Sequence, residues 1–248
     1  MTSTLLKELY VRSKRIIEEY KLMDERVHVT VKPLNVEEAI GKPSMNEYAL
    51  LKGKEVMVEA TFRRFRGQAF TNTPKSFSGL LRDVFELNLS RPWNRSIFIA
   101  VLNAVMVYLG LTDRTVHCKN DYPLTCGYEL ALYLRKANVS RIGLIGYQPA
   151  MLKNLSELGF KVRAADADPD NIGKVKFGIK IEPADADEDI ILWSNISLIT
   201  GSVLVNGSLD EILLKYKDKI ILYGISCAAP AKILGFKRWC ISKENIRL

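Results

Sequence analysis

Three short polar turns carry the residue types that hold a small polar or anionic molecule. Thr200-Gly201-Ser202 and Asn206-Gly207-Ser208 lie close together, and Gly224-Ile225-Ser226 follows a later apolar run. Hydroxyls, an amide and glycine-freed backbone N–H groups are the donors that meet an anion, a carboxylate or a nucleobase edge. Thr200 and Gly224 each follow a run of strand length, Ser197–Thr200 and Ile220–Tyr223, so their turns can open on one sheet edge. Asn-Gly between apolar residues taken alone signals a hairpin. Ser208 and Glu211, however, have the Ser-x-x-Glu spacing of a capping box, which predicts a helix opening at Ser208.

Two further strand ends add candidates. In Gly143-Leu144-Ile145-Gly146-Tyr147-Gln148-Pro149, Gly146 sits at the turn, Tyr147 follows it, and Pro149 falls at the first helical position, where a missing N–H costs nothing. The stretch lacks the second and third glycines of G-x-G-x-x-G, which disfavours ordinary NAD binding. The next run ends in Asp166-Ala167-Asp168-Pro169-Asp170. An acid there accepts ribose hydroxyls in dinucleotide sites, whereas an Asp-Pro turn needs no ligand. Asp166, nearer the strand, is the first choice and Asp168 the second.

Other chemistry is sparser. Arginines interleaved with aromatics in Phe62-Arg63-Arg64-Phe65-Arg66-Gly67-Gln68-Ala69-Phe70 suit phosphate contact plus base stacking, but more often form a basic strand and turn, so nucleic acid is a disfavoured partner. Arg66, Gln68 and Thr71 are alternatively placed to orient a small anionic ligand. Asn103, an amide inside the apolar stretch Ile97–Leu111, needs hydrogen-bond partners, either as a tie to a neighbouring loop or in ligand binding. The chain has two histidines and four widely spaced cysteines with no C-x-x-C. His117, Cys118 and Cys126 with Asp121 or Glu129 match no metal-site spacing. G-x-S-x-G is also absent, and no general acid or base is assignable.

Positioning these residues takes two kinds of element order. Thr4–Met23 has helical apolar spacing behind Thr2 and Ser3 as possible caps. Alternation in Val27–Val31 and Glu55–Phe62 predicts antiparallel strands, and helices are expected over Ser76–Leu87 and Trp93–Leu109, giving a small α+β domain over residues 1–120. A turn at Asp121-Tyr122-Pro123 marks the hinge. A helix over Leu124–Lys136, the strand Ile142–Ile145, a helix over Pro149–Leu158 and strands at Phe160–Ala165, Ser197–Thr200, Ile220–Tyr223 and near Trp239 then predict a Rossmann-like parallel α/β domain over 121–248. Residues 166–189, with eight acids against three lysines, read as a solvated acidic loop. In an open parallel sheet, ligands collect outside the carboxyl ends of the strands, where the polar turns converge.

Bulk properties bound the rest. With 248 residues and 48% apolar content, the chain can build a core for one large or two small domains. Its net charge of +8 and pI near 9.2 are divided evenly, with 16 Lys+Arg against 12 Asp+Glu in residues 1–92 and 20 against 16 thereafter. That describes a mildly basic surface rather than a polyanion-binding patch. No apolar stretch reaches the length of a membrane span, and the N-terminus lacks a signal-peptide core, so a cytoplasmic protein without a membrane partner is expected.

Residues 141–240 resemble a family described as "putative heavy-metal chelation", through T-G-S-x-L-V-N-G-S at 200–208, G-Y-Q-P at 146–149 and G-x-S at 224–226. G-Q-A-F-T at 67–71 and W-N-R-S-I-F-I-A-V-L-N-A at 93–104 resemble its N-terminal partner domain. The resemblance implies an enolase-N-terminal-like α+β domain joined to a Rossmann-like domain, with a ligand pocket between them. It also implies condensation, hydrolysis or group transfer in the making of a pterin, a flavin or a metal-chelating metabolite, as a transferase or hydrolase. A methyltransferase-like outline makes a nucleoside-containing ligand such as S-adenosylmethionine one candidate cofactor. A directly held heavy metal is the other, as in a non-catalytic carrier using Cys118, Cys126 or Cys227. The expected ligand-binding set is therefore Gly146, Tyr147, Pro149, Asp166, Asp168, Thr200, Gly201, Ser202, Asn206, Gly207 and Ser226, with Gln68 and Asn103 from the first half. A homo-oligomer is compatible with the sequence.

Overall fold

The computed structural model describes residues 4–23 and 28–241. The proposed caps Thr2 and Ser3, and Val27, lie outside the described residues. The first half comprises α1 (Thr4–Glu19), β1 (His28–Leu34), α2 (Val36–Ile40), β2 (Val56–Phe62), β3 (Phe65–Thr71), β4 (Phe77–Leu80), α3 (Leu81–Phe85) and α4 (Pro92–Tyr108). Its strands form a four-stranded antiparallel sheet in the order β3-β2-β1-β4. Arg63 and Arg64 make the tight turn between β2 and β3, with Arg63 at φ 54°.

The second half runs α5 (Tyr122–Lys136), β5 (Arg141–Ile145), α6 (Pro149–Glu157), β6 (Lys161–Asp166), β7 (Val175–Lys176), β8 (Ile179–Pro183), α7 (Asp187–Trp193), β9 (Ile196–Thr200), α8 (Ser202–Asn206), α9 (Asp210–Lys215), β10 (Ile220–Tyr223), α10 (Ala228–Leu234) and β11 (Lys237–Trp239). These strands order as β11-β10-β9-β5-β6-β8-β7, parallel except for the β7–β8 hairpin. The chain leaves β5 towards β6 and β8, then returns to β9 on the other side. The switch in strand order therefore lies between β5 and β9, where an open α/β sheet leaves a crevice at its carboxyl edge.

The apolar stretch around Asn103 is α4, with every residue from Ser96 to Met106 buried. It is buried all round because it packs on β2 and β3 and also meets α8 and α10 of the second half. Gly67 permits the close approach, since a Cβ there would collide with the Ala100 carbonyl and the Ala104 amide of α4. One hydrophobic cluster consequently runs through both halves, from Leu5, Val29, Phe62 and Phe98 to Ile199, Leu222 and Leu234.

Three expectations change. Ser76–Leu87 is not a single helix: Phe77–Leu80 pairs with β1 as β4 before the short α3 begins. The Ser208–Glu211 capping box does not form, because Leu209 takes the left-handed conformation at φ 64° and α9 starts at Asp210 without a side-chain cap. Residues 166–189 are no simple solvated loop. They contain the β7–β8 hairpin, β8 pairs in parallel with β6, and Asp187 is buried.

Candidate functional site

A cleft of about 1030 Å³ opens at the carboxyl edge of the parallel sheet, walled on its other side by the first half. Gly146, Tyr147, Pro149, Asp166, Asp168, Thr200, Gly201, Ser202, Asn206 and Ser226 all line it. The geometry of the strand ends explains this convergence. Gly146 has φ +87°, and a Cβ would come within 2.5 Å of Thr200 Cγ2, so only glycine lets the loop after β5 approach the end of β9. The Tyr223 hydroxyl, at the end of β10, donates to Gly146 O at 2.6 Å and fixes that loop from below. Gln148 Oε1 accepts the Met151 amide at 2.5 Å, capping α6 with Pro149 in its first turn.

Asp166 organises the next loop rather than standing free. Its Oδ2 accepts the Tyr147 amide at 2.9 Å and Asn171 Nδ2 at 3.2 Å, and its Oδ1 accepts the Asp168 amide at 2.8 Å. Asp168 Oδ1 accepts the Asp170 amide at 3.0 Å, and Lys54 from the first half pairs with Asp170 at 2.5 Å and Asp168 at 3.7 Å. Ser226 Oγ accepts the Phe70 amide at 2.9 Å, joining β3 to the β10–α10 loop.

Three expected residues lie outside the cleft lining. Asn103 is wholly buried; its Nδ2 donates to Gln68 O at 2.8 Å and Ile225 O at 2.9 Å, and its Oδ1 accepts the Ala229 amide at 2.7 Å. It is the tie between halves. Gln68 bridges Glu59, at 2.6 Å, to the His117 amide, at 2.7 Å. Gly207 ends α8 in a left-handed turn, and the preceding Asn206 carbonyl accepts Arg95 Nη2 at 2.9 Å.

Sequence reasoning missed two acids that share this edge. Glu55 lines the cleft with Asp166 and Ser202; burial first, then the Asp166 charge, push its carboxyl up to about 7 against a lowering by Ser202. Asp187, 5% exposed, lines the cleft after β8, and its Oδ1 is buried with no hydrogen-bond partner. Burial, followed by Asp166 and Asp185, raises it to about 7 as well. Glu55 looked like the polar first residue of a strand, and Asp187 one acid of many in a loop. No local pattern marks Asp187 as buried or Glu55 as a cleft residue.

Arg114, His117, Cys118, Tyr122, Cys126, Trp239 and Cys240 also line the cleft. Burial pushes the Cys118 thiol up to about 12 and raises Cys126 and Cys240, so none is a ready thiolate at neutral pH. His117 is held down by burial, and its Nδ1 is engaged with the Cys118 carbonyl at 2.5 Å. Cys227, buried beneath the edge, bonds to the Tyr223 and Gly224 carbonyls. Among the described residues no three His, Cys, Asp or Glu side chains are grouped so that they could hold a metal ion.

In the arginine hairpin the aromatic and basic side chains pack on one another. Phe62 is fully buried, Phe62 and Phe65 both pack edge-on against Tyr108, Arg63 lies over the Tyr108 ring, and Arg66 pairs with Glu59 at 3.6 Å. No helix among the described residues is long and apolar enough to cross a membrane.

No curated protein matches the chain in sequence. Two solved structures are similar in fold, both of DUF364-family proteins described as having unknown function. The one from Pyrococcus horikoshii has a TM-score of 0.53 and 16% identity, over 90% of this chain and 80% of the other. The one from Desulfitobacterium hafniense has a TM-score of 0.50 and 12% identity, over 90% and 83% respectively. Residues 130–235, the part that contains the switch-point crevice, match the model of the DUF364 family, described as "Putative heavy-metal chelation".

Proposed function

We propose that the protein binds a small polar metabolite in the cleft between its two sheets and acts on it by condensation, hydrolysis or group transfer. The observation that carries this reading is the convergence of the loops after β5, β6, β9 and β10 on one cleft that the first half closes. Thr200, Ser202 and Asn206 supply donors for the anionic or reacting part, and Tyr147 with Trp239 supplies flat apolar surface. The family description favours a metabolite of the metal-chelating, pterin or flavin type, in which any metal is held by the organic ligand. That agrees with a cleft in which, among the described residues, no three His, Cys, Asp or Glu side chains are grouped to hold a metal ion.

Native mass spectrometry of the protein as purified tests this. The expected result is a stoichiometric organic mass that Ser202→Ala and Asn206→Ala reduce while the fold is kept. A metal mass with no organic component, diminished by Cys118→Ser or Cys126→Ser, would instead establish the carrier reading.

A further inference from the structure

Among the described residues that line the cleft, two buried polar atoms lack a hydrogen-bond partner, Trp239 Nε1 and, on the Asp166 side, Asp187 Oδ1. Asp166 spends both oxygens on the backbone and side chains of its own loops. The lysines nearby are also committed: Lys54 pairs with Asp168 and Asp170, and Lys52 and Lys176 both pair with Glu47. Asp187 and Glu55, on elements that follow β8 and precede β2, approach the same Asp166 without a cation beside either. Asp187 is 5% exposed and its Oδ1 has no donor at all. A buried carboxyl oxygen without a partner is destabilising, and folded proteins seldom leave one uncompensated unless the group has another use. The missing partner is a donor, preferably a charged one, and the cleft is where it would enter.

We propose that Asp187 and Glu55 form a subsite for a protonated nitrogen, an amine or amidine carried by the cleft's ligand, whose N–H groups donate to the two carboxylates. This rests on the reading of the cleft as a small-molecule site and names the ligand's chemical class. Asp166, whose charge acts on both acids, is held in place by its own hydrogen bonds and raises the negative potential of this end. The nitrogen thus meets several carboxylates at partly desolvated range, where charge-assisted hydrogen bonds are strongest. Thr200, Ser202 and Asn206 face the remainder of the ligand.

Titration calorimetry with three isosteric probes tests the assignment: benzamidine, neutral benzamide and anionic benzoate, against the full chain at pH 8. Benzamidine is expected to bind at least tenfold more tightly than benzamide, with benzoate silent, and Asp187→Asn to remove at least tenfold of the benzamidine affinity. Glu55→Gln is expected to weaken it several-fold, which keeps the test available should the Asp187 variant fold poorly. Affinity is also expected to fall from pH 8 to pH 6, as Asp187, faced by Asp166 and Asp185, and Glu55, faced by Asp166, take up protons. Equal binding of benzamide, an unaffected pair of variants, or no benzamidine binding at millimolar concentration would each overturn the proposal. A protein that retains an organic mass as purified yet ignores benzamidine would remove the subsite and leave the cleft reading standing.

Discussion

At the scale of single residues, the chemistry of this chain lies in how its polar groups divide their partners. Asn103 shows the fully satisfied extreme. Its amide was conspicuous in the sequence because the surroundings are apolar, and the structure gives it three backbone partners that tie α4 to β3 and to the β10–α10 loop. Asp187 shows the other extreme, and its sequence context concealed it. Burial depends on contacts made across the fold, so an acid among eight within residues 166–189 carries no local mark of being the buried one. Its consequence for stability has a definite sign. A carboxyl raised from its ordinary 3.8 to about 7 on folding makes the native state bind a proton that the unfolded chain releases. The stabilisation is therefore fully present below about pH 4 and is lost as pH rises through 7; Glu55 behaves the same way from 4.5. Asp187→Asn holds the position neutral at every pH. Urea unfolding should show the variant gaining on the order of 1 kcal/mol relative to wild type at pH 8, with the difference shrinking towards pH 5. A variant less stable than wild type at pH 8 would mean that the ionised carboxylate has a favourable partner.

At the scale of elements, the parallel half was the more legible. Strands buried on both faces read as short apolar runs, and Pro149 signalled the start of α6 correctly. The polar turns at 146, 200 and 224 were recognisable because each ended such a run. What misled were features whose outcome depends on partners distant in sequence. Phe77–Leu80 becomes a strand because β1 offers it an edge. The Ser208–Glu211 spacing makes no cap because Leu209 turns left-handed and α9 starts at Asp210, whose Oδ2 instead accepts the Leu5 amide at 3.2 Å and so caps the first turn of α1 from a distant part of the chain. Half-burial raises the Asp210 carboxyl, while its backbone bonds to Leu5 and Leu6 lower it. Asp210→Ala should cost about 1 kcal/mol, the usual worth of an N-terminal cap, and Asp210→Asn should recover most of it. Hydrogen exchange checks the mechanism, since protection should fall first at the Leu5 and Leu6 amides. Unchanged exchange there would place the loss in α9 instead.

At the scale of the whole molecule, two sheets share one core. Two separate sheets exist, one antiparallel and one mostly parallel. Yet α4 has no polar face for solvent, α1 packs on α9 and α10, and a single hydrophobic cluster draws residues from both sheets. A sequence shows that α4 is apolar all round; it does not show which element lies on each side. The buried Asn103 and Ser226 hydrogen bonds cross the same boundary. Each half consequently completes the other's core, and the cleft is walled by surfaces that have little freedom to move apart, unlike those of domains joined by a thin polar interface. Calorimetric unfolding should therefore show one transition, with the van't Hoff enthalpy equal to the calorimetric enthalpy. Residues 122–241 expressed alone should expose the apolar faces of α8, α9 and α10 and bind a hydrophobic dye. Two resolved transitions, or a fragment that is compact and dye-silent, would show that the halves fold independently and that the cleft between them opens as a hinge.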